Sequence, residues 1–147
     1  MRRFAVVKGY EGQAIALPER KTRWSAGYDL AAAERVEIPP GAVVLVPTGL
    51  KALMQPDEVL QIYIRSSLAV RRRLVLANQV GIIDADYAHN PDNDGHILVA
   101  VENRGNETQV IERGDRIAQA IFTKYLTTED DAAVSERQGG FGSTGKR

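Results

Sequence analysis

Short runs in which apolar and polar residues alternate are the feature that most constrains the fold of this chain. In the run VLQIYIR (residues 59–65), an apolar side chain recurs at every second position from Leu60 to Ile64. A period of two is typical of a β-strand with one buried face. Pro- and Gly-containing turns separate such runs, and many short strands at this spacing predict an all-β sandwich or barrel. The other predicted strands are Arg2–Lys8, Arg35–Ile38, Val43–Val46, Leu50–Met54, Leu74–Leu76, Ile97–Val101, Thr108–Ile111 and Ile117–Tyr125.

Two segments do not have this period. Ser67–Arg73 contains good helix formers and a serine available as a cap, so it predicts one short helix. We interpret Arg71–Arg73 as the solvated face of that helix, with a basic contact surface as the alternative. From about Thr127 the chain is polar, glycine-rich and aperiodic. We expect residues 1–126 to form one β domain and residues 127–147 to form a flexible C-terminal arm.

The balance of charges and the lack of cysteine exclude several classes of function. Lys and Arg number 19 and so do Asp and Glu, which argues against a nucleic-acid partner but not against a small anion. With no cysteine, disulfides and thiolate catalysis are excluded. No apolar run approaches the roughly 20 residues of a membrane span, and residues 4–7 are too short for a signal peptide. We expect a cytoplasmic protein.

The end of the chain, GGFGSTGKR, nearly matches the phosphate-binding pattern of P-loop proteins. Arg147 stands where the magnesium-binding hydroxyl should be, and no strand and helix surround the segment, so a P-loop enzyme is rejected. Phe141 among glycines and hydroxyls could stack on a base while neighbouring amides hold phosphate. A mobile nucleotide clamp and a plain flexible tail both remain open on these residues alone.

Two further segments contain groups suited to hydrolysis of a phosphate ester. In GIIDADY, Asp84 follows two isoleucines and is expected to be partly buried, where a carboxylate can act as a base; surface turn aspartates are the alternative. In IRSSLA, Arg65 and two hydroxyls precede the helix and could bind an anion, although a serine cap beside an ordinary arginine is the simpler interpretation. HNPDNDGH lacks the glutamate of a calcium loop and predicts a polar hairpin turn.

Five segments, taken together and in this order, resemble the motifs of the trimeric dUTPases, which cleave dUTP to dUMP and pyrophosphate. The resemblance implies a jelly-roll-like β-sandwich of the β-clip type, assembled as a homotrimer with active sites between subunits. The arm of one subunit would close a site built by its neighbours. It also implies that the enzyme lowers dUTP and supplies dUMP for thymidylate synthesis. The five segments are AGYDL (26–30), RSS (65–67), NQVGIIDADY (78–87), GDRIAQ (114–119) and RQGGFGSTG (137–145).

The resemblance implies roles for individual residues. Asp84 would activate the water that attacks the α-phosphorus. Asp29 would lie near Mg²⁺ and act through water, with the ion held mainly by the substrate's phosphates. Tyr87 would pack under the deoxyribose and leave no room for a 2′-hydroxyl. The other implied contacts are Asn78, Gly81, Ile82 and Ile83 in the uracil pocket; Arg65, Ser66, Ser67 and Gln119 on the phosphates; Phe141 on uracil; Arg137, Ser143 and Thr144 on the outer phosphates; and Leu98 and Gly142 as further substrate contacts.

Two departures from the family pattern and two rival functions remain. HNPDND (89–94) is an insertion between Tyr87 and Gly95, and Arg137 is one residue closer to the glycine pair than in many members. One rival is dCTP deaminase, whose catalytic glutamate would fall at Ala100; Glu102 is out of that register, and we expect its side chain to face the other way. The other rival is a regulatory binding protein built on the same scaffold. The insertion suggests this function, because it could contact a partner.

Overall fold

The computed structural model describes residues 1–137 as an all-β sandwich with one short helix, which confirms the predicted fold class. All strand pairings are antiparallel. The strands form sheets in the orders β1-β5, β10-β3, β2-β11-β6-β8 and β4-β9-β7. The elements are β1 Arg3–Val6, β2 Tyr28–Ala31, β3 Val36–Ile38, β4 Val43–Pro47, β5 Leu50–Leu53, β6 Glu58–Ile64, α1 Ser66–Arg72, β7 Leu74–Leu76, β8 Gly81–Asp84, β9 Leu98–Asn103, β10 Gln109–Ile111 and β11 Arg116–Lys124.

The core forms where the alternating strands meet. Leu60 and Ile62 of β6 are buried, as the period of two predicts. On the neighbouring strand β11, Ala118 and Ala120 are also fully buried. Phe4 fills the space beside Tyr28, with ring centroids 5.6 Å apart. This core fixes β6 and β11, which carry residues of the candidate site at their ends.

Strands β2 and β8 are not among the strands that the sequence pattern predicted, and β2 shows why. It has four residues, and only Leu30 among them is fully buried, so no alternation is visible. The strand is held by pairing with β11, in which Asp29 lies opposite Gln119. Long-range pairing of this kind has no local signal.

The helix differs from its prediction in its start and in its basic face. Its N-cap is Arg65, in an extended conformation and with no side-chain cap, so the expected serine cap is wrong. The expectation of a solvated basic face is also wrong for Arg72. Its Nε donates to Gln109 Oε1 at 2.7 Å, and its Nη2 donates to the Val110 carbonyl at 2.7 Å. No helix of the described residues is long and apolar enough to cross a membrane.

Candidate active site

Strand β8 presents Asp84 at an open edge. It pairs with β6 on one side only, because β8 is the last strand of its sheet. Residues two apart on a strand share a face, so Ile82 and Asp84 point to the same side, and both are exposed. The Asp84 side chain is 53% exposed in the single chain, so the expectation of partial burial is wrong. Of the two isoleucines that precede Asp84, only Ile83 packs against the core. Asp84 is the last residue of the edge strand.

One guanidinium joins the two aspartates and the tyrosine of this segment. Arg137 Nη2 lies 2.5 Å from Asp84 Oδ2, and Arg137 Nε donates to Asp86 Oδ1 at 2.8 Å. The Arg137 Cζ atom also lies 5.9 Å from the centroid of the Tyr87 ring. Its hydrogen bond to Asp86 is the largest cause that raises the pKa of Arg137. Asp84, Asp86 and the Tyr87 ring therefore surround a single position, which a cation occupies in this chain.

Tyr87 is buried beneath the segment that follows it. Its hydroxyl donates to the His96 carbonyl at 2.7 Å and accepts from Asn93 Nδ2 at 3.0 Å. Burial is the largest cause that raises the pKa of Tyr87. The predicted hairpin turn at HNPDND is wrong, because the strands on either side of it, β8 and β9, belong to different sheets. The insertion is also not simply a solvated polar turn, because Asn90 is 6% exposed. Sequence reasoning missed both asparagines.

A basic groove of about 460 Å³ lies between α1 and the start of β11. Arg65 and Ser67 line it, as does Arg116, which sequence reasoning did not assign although it stands inside GDRIAQ. Arg71 of the supposed solvated run also reaches the groove. Ser66 is exposed at the first residue of the helix. Several guanidinium groups around one concave surface suit an anion with several negative charges.

Asp29 and Gln119 connect this groove to strand β2. They lie opposite each other in the β2–β11 pair. The Gln119 side chain packs on Gly27, where an added Cβ would lie 2.6 Å from Gln119 Oε1. Asp29 Oδ2 accepts from Arg116 Nη1 at 3.4 Å, which brings its carboxylate to the groove. Within residues 1–137, no three His, Asp or Glu side chains form a group that could hold a metal ion.

The remaining predicted site residues are scattered. Asn78 is exposed in the turn between β7 and β8, and buried Gly81 lies opposite Ile62. Leu98 begins β9, which belongs to a different sheet from β8. Phe141, Gly142, Ser143 and Thr144 lie outside the described residues.

The aspartate and the basic groove do not meet within one chain. Asp84 pairs with Val59 near the start of β6, whereas Arg65 follows the end of that strand. Six residues along a strand span about 20 Å. The single chain therefore holds two separate parts of the predicted site, at opposite ends of β6.

In this chain, Ala100 stands where a dCTP deaminase would have its catalytic glutamate, and it is buried on β9. Glu102 lies two residues further along the strand, so it points to the same face, and the expectation that it faces the other way is wrong. Its separation from that position is a displacement of about 7 Å along the strand. Its carboxylate lies 3.6 Å from Arg104 Nε.

Comparison with known proteins gives one consistent result. A family model described as dUTPase matches residues 13–145. The chain is 49% identical over 147 residues to the deoxyuridine 5′-triphosphate nucleotidohydrolase of Lactococcus lactis subsp. lactis, covering 99% of this chain and 98% of that protein. It is 40% identical over 144 residues to the enzyme of that name from Cronobacter sakazakii, covering 92% and 91%. The crystal structure of dUTPase from Streptococcus mutans matches with a TM-score of 0.82 and 46% identity, covering 86% of this chain and 98% of that chain.

Proposed function

This chain belongs to the dUTPase family and hydrolyses dUTP to dUMP and pyrophosphate, and we propose that Asp84 is the base that activates the attacking water. The observation that carries this proposal is the shared position of Asp84, Asp86 and the Tyr87 ring around the Arg137 guanidinium. A carboxylate open to solvent can hold a water molecule, and its neighbour Tyr87 offers a surface for the sugar. Asp84 thus stands beside the place where a nucleotide would lie.

The proposed reaction is a displacement at the α-phosphorus. The water oxygen forms a bond to this phosphorus, and the bond from the phosphorus to the oxygen bridging the β-phosphate breaks. Asp84 takes the proton that the water loses, and pyrophosphate leaves. One dUTP and one water then give dUMP, pyrophosphate and a proton, with no covalent bond to the protein.

The basic groove supports the assignment of the phosphate contacts. We assign Arg65, Ser66, Ser67 and Gln119 to the triphosphate, and the groove adds Arg116 to that set. Hydrolysis of a triphosphate depends mostly on positioning and on compensation of negative charge. Arginine suits this task because its planar fork can bind two phosphate oxygens at once.

Strand β8 and the turn that precedes it support a pocket for uracil and deoxyribose. Gly81 lies close to Ile62, since a Cβ added there would be only 3.1 Å from Ile62 Cβ, and this lets β8 pack closely against β6. We assign Asn78 and the segment Gly81–Asp84 to the uracil, Leu98 to a further substrate contact, and the Tyr87 ring to the sugar. Backbone groups that pair with uracil would leave cytosine unsatisfied, and such sites discriminate by about 10⁴-fold.

The donor set fits a Mg²⁺ ion that is held mainly by the substrate. Mg²⁺ commonly binds one or two carboxylates together with substrate phosphates and water. Asp29 is a single carboxylate beside the groove, and the lack of a larger acidic group among residues 1–137 agrees with contact through water. When bound, the ion would neutralise part of the triphosphate charge.

We propose that the enzyme is a homotrimer whose sites lie between subunits. The separation of Asp84 from Arg65 supports this, because another copy of the chain must supply the missing part. We assign Arg137 to the outer phosphates when the arm is closed over bound substrate. Its guanidinium would then leave Asp84 and Asp86 and bind the triphosphate. The arm from residue 127 would also bring Phe141 to the uracil and Gly142, Ser143 and Thr144 to the phosphates.

The test combines a substrate panel with a matched pair of aspartate variants. Wild-type protein in Mg²⁺ should release pyrophosphate from dUTP with a far higher kcat/KM than from dCTP, dTTP or UTP. Asp84→Asn should lower kcat for dUTP by roughly 10²- to 10⁴-fold, the contribution of a general base. Asp57→Asn is the control, since Asp57 is also about half exposed, at 59%, and paired with a cation, Lys124.

Each outcome of this test decides one assignment. Wild-type turnover by Asp84→Asn, or an equal loss in Asp57→Asn, would remove Asp84 from the role of base. Deamination of dCTP would favour the deaminase function. Binding of a regulatory protein by the inactive Asp84→Asn variant would add the second rival as a separate function. Circular dichroism of each variant controls for unfolding.

A further inference from the structure

The segment HNPDND, residues 89–94, folds back on Tyr87 instead of extending into solvent; we call it the asparagine loop. Five of its six residues are polar, yet Asn90 is 6% exposed and the Asp94 side chain only 11%. The loop lies between β8, which ends at Asp84, and β9, which begins at Leu98. Buried polar groups require hydrogen-bond partners, and the amides of Asn90 and Asn93 both find partners on Tyr87.

Asn93 completes the hydrogen bonding of the Tyr87 hydroxyl. That hydroxyl has one hydrogen, which it donates to the His96 carbonyl at 2.7 Å. The amide of Asn93 donates to the same oxygen at 3.0 Å. These two bonds, one to His96 beyond the loop and one from Asn93 within it, hold the end of the aromatic ring. A tyrosine with two rotatable bonds is then fixed at both its backbone and its tip.

Asn90 fixes Asn93 in turn. The Asn90 amide donates to the Tyr87 carbonyl and to Asn93 Oδ1, both at 2.9 Å. Asn93 Oδ1 also accepts from the Gly95 backbone N–H at 3.0 Å. The side chain of Asn93 therefore has one orientation in which all of these bonds are satisfied, with its donor directed at Tyr87.

A charged contact anchors the end of the loop to the rest of the domain. Asp94 Oδ2 lies 2.8 Å from Lys51 Nζ and accepts from the Lys8 backbone N–H at 3.0 Å. Lys51 Nζ also lies 3.1 Å from His89 Nδ1. Because Lys51 belongs to β5, the loop is tied to a strand other than the two that it connects. Such a tie makes the loop a rigid support and not a free turn.

From these contacts we propose that the asparagine loop is a specificity determinant, in which Asn93 is a positioning residue that holds the Tyr87 ring against the sugar. The proposal rests on the proposed role of Tyr87 in excluding a 2′-hydroxyl. Exclusion of one oxygen atom by a ring requires that the ring cannot move aside. The two hydrogen bonds at the ring tip supply that restraint, so loss of the bond from Asn93 should let the ring yield to a ribonucleotide.

The test is the ratio of kcat/KM for dUTP to kcat/KM for UTP, measured by pyrophosphate release. Asn93→Asp is nearly isosteric and keeps the oxygen that accepts from Asn90 and Gly95, but it loses the donor to Tyr87. The ratio should fall roughly three- to tenfold, the value of one hydrogen bond, mainly through faster UTP hydrolysis. A purely structural defect would lower kcat/KM equally for both substrates and leave the ratio unchanged. Asn93→Ala is the second variant if the aspartate does not fold.

Three controls separate the possible failures. Asn106→Asp makes the same change at an exposed position in the β9–β10 loop and should leave the ratio as in the wild type. In a Tyr87→Phe background, which lacks the hydroxyl, Asn93→Asp should have no further effect on the ratio. If Tyr87→Ala lowers the ratio but Asn93→Asp does not, the positioning role is overturned alone. If Tyr87→Ala leaves the ratio unchanged, the role of Tyr87 fails and the positioning role fails with it.

Discussion

Glu58 is a carboxylate buried at the start of β6, and its partners hold it in the ionised form. Its side chain is 4% exposed. Arg2 Nε donates to Oε2 at 2.8 Å, and the Gln55 backbone N–H donates to Oε1 at 2.9 Å. The hydrogen bond from Arg2 is the largest cause that lowers the pKa of Glu58, from 4.5 to about 2. The folded state therefore releases this proton more readily than the unfolded chain.

This difference predicts a loss of stability in acid that depends on Glu58. Between pH 4.5 and about 2 the unfolded chain binds more protons at this site than the folded chain does. The contribution of ionised Glu58 to the free energy of unfolding is therefore fully present above pH 4.5 and is lost as the pH falls through that window. Glu58→Gln should flatten this dependence. Urea unfolding at a series of pH values and fixed protein concentration measures it. Exposed Glu107→Gln should keep the wild-type slope, and an unchanged slope in Glu58→Gln would contradict the prediction.

At the level of single residues, the sequence predicted chemistry better than contacts. Arg65 and Ser67 were identified from their type and order, and they line one groove. The contact between Arg137 and Asp84 joins residues 53 positions apart, and no local pattern indicates it. Asn93 could be interpreted only as a turn residue, because nothing in HNPDND distinguishes a polar group that faces water from one that faces a tyrosine.

Among the elements, the β8–β9 connection depends on Gly95. Its φ is +83°, and an added Cβ would lie 2.6 Å from Ala88 Cα and 2.8 Å from the Tyr87 carbonyl oxygen. Both neighbours are backbone atoms, so neither can rotate away. The glycine thus permits the asparagine loop to close on Tyr87.

Gly95→Ala should accordingly destabilise the protein more than the same change at a glycine with open surroundings. Gly41 is the matched control, because its φ is +78° and a Cβ there would meet nothing within 4 Å. Gly41→Ala should cost about 1–2 kcal/mol from its backbone conformation alone. Gly95→Ala should cost about 1–3 kcal/mol more, the usual price of overpacking. Urea unfolding measures both, and equal losses would mean that the backbone relaxes around the added methyl group.

The elements that could be predicted are the strands in which apolar and polar residues alternate along the sequence. Strand β6 was predicted within one residue at each end because an apolar residue recurs at every second position from Leu60 to Ile64, and Leu60 and Ile62 are buried. Strand β2 was missed because its pairing with β11 defines it, and the helix start was misplaced because the serines make no cap. Local pattern therefore accounts for the fold class, whereas sheet order and caps arise from contacts that are distant in sequence.

At the scale of the whole molecule, the position of β8 at the edge of its sheet determines how a site can form. The antiparallel pairing of β6 and β8 places Asp84 beside Val59, away from the helix that follows Ile64. No side chain spans the roughly 20 Å between these ends. If Asp84 activates water and Arg65 binds phosphate, as proposed, association of chains would have to bring the two together, and the proposed trimer provides this.

A subunit-mixing experiment tests this arrangement. Asp84→Asn and Arg65→Ala should each be nearly inactive alone, because each lacks one part of every site. If the two parts come from different subunits, a site is intact when one subunit keeps Asp84 and its neighbour keeps Arg65. Random mixing of equal amounts gives each condition half of the time, so about a quarter of wild-type activity should return on joint refolding or subunit exchange. Light scattering of the mixture should give the mass of a trimer. If both groups served one site from a single chain, no mixed site would be intact and mixing would restore nothing, which would exclude the shared site.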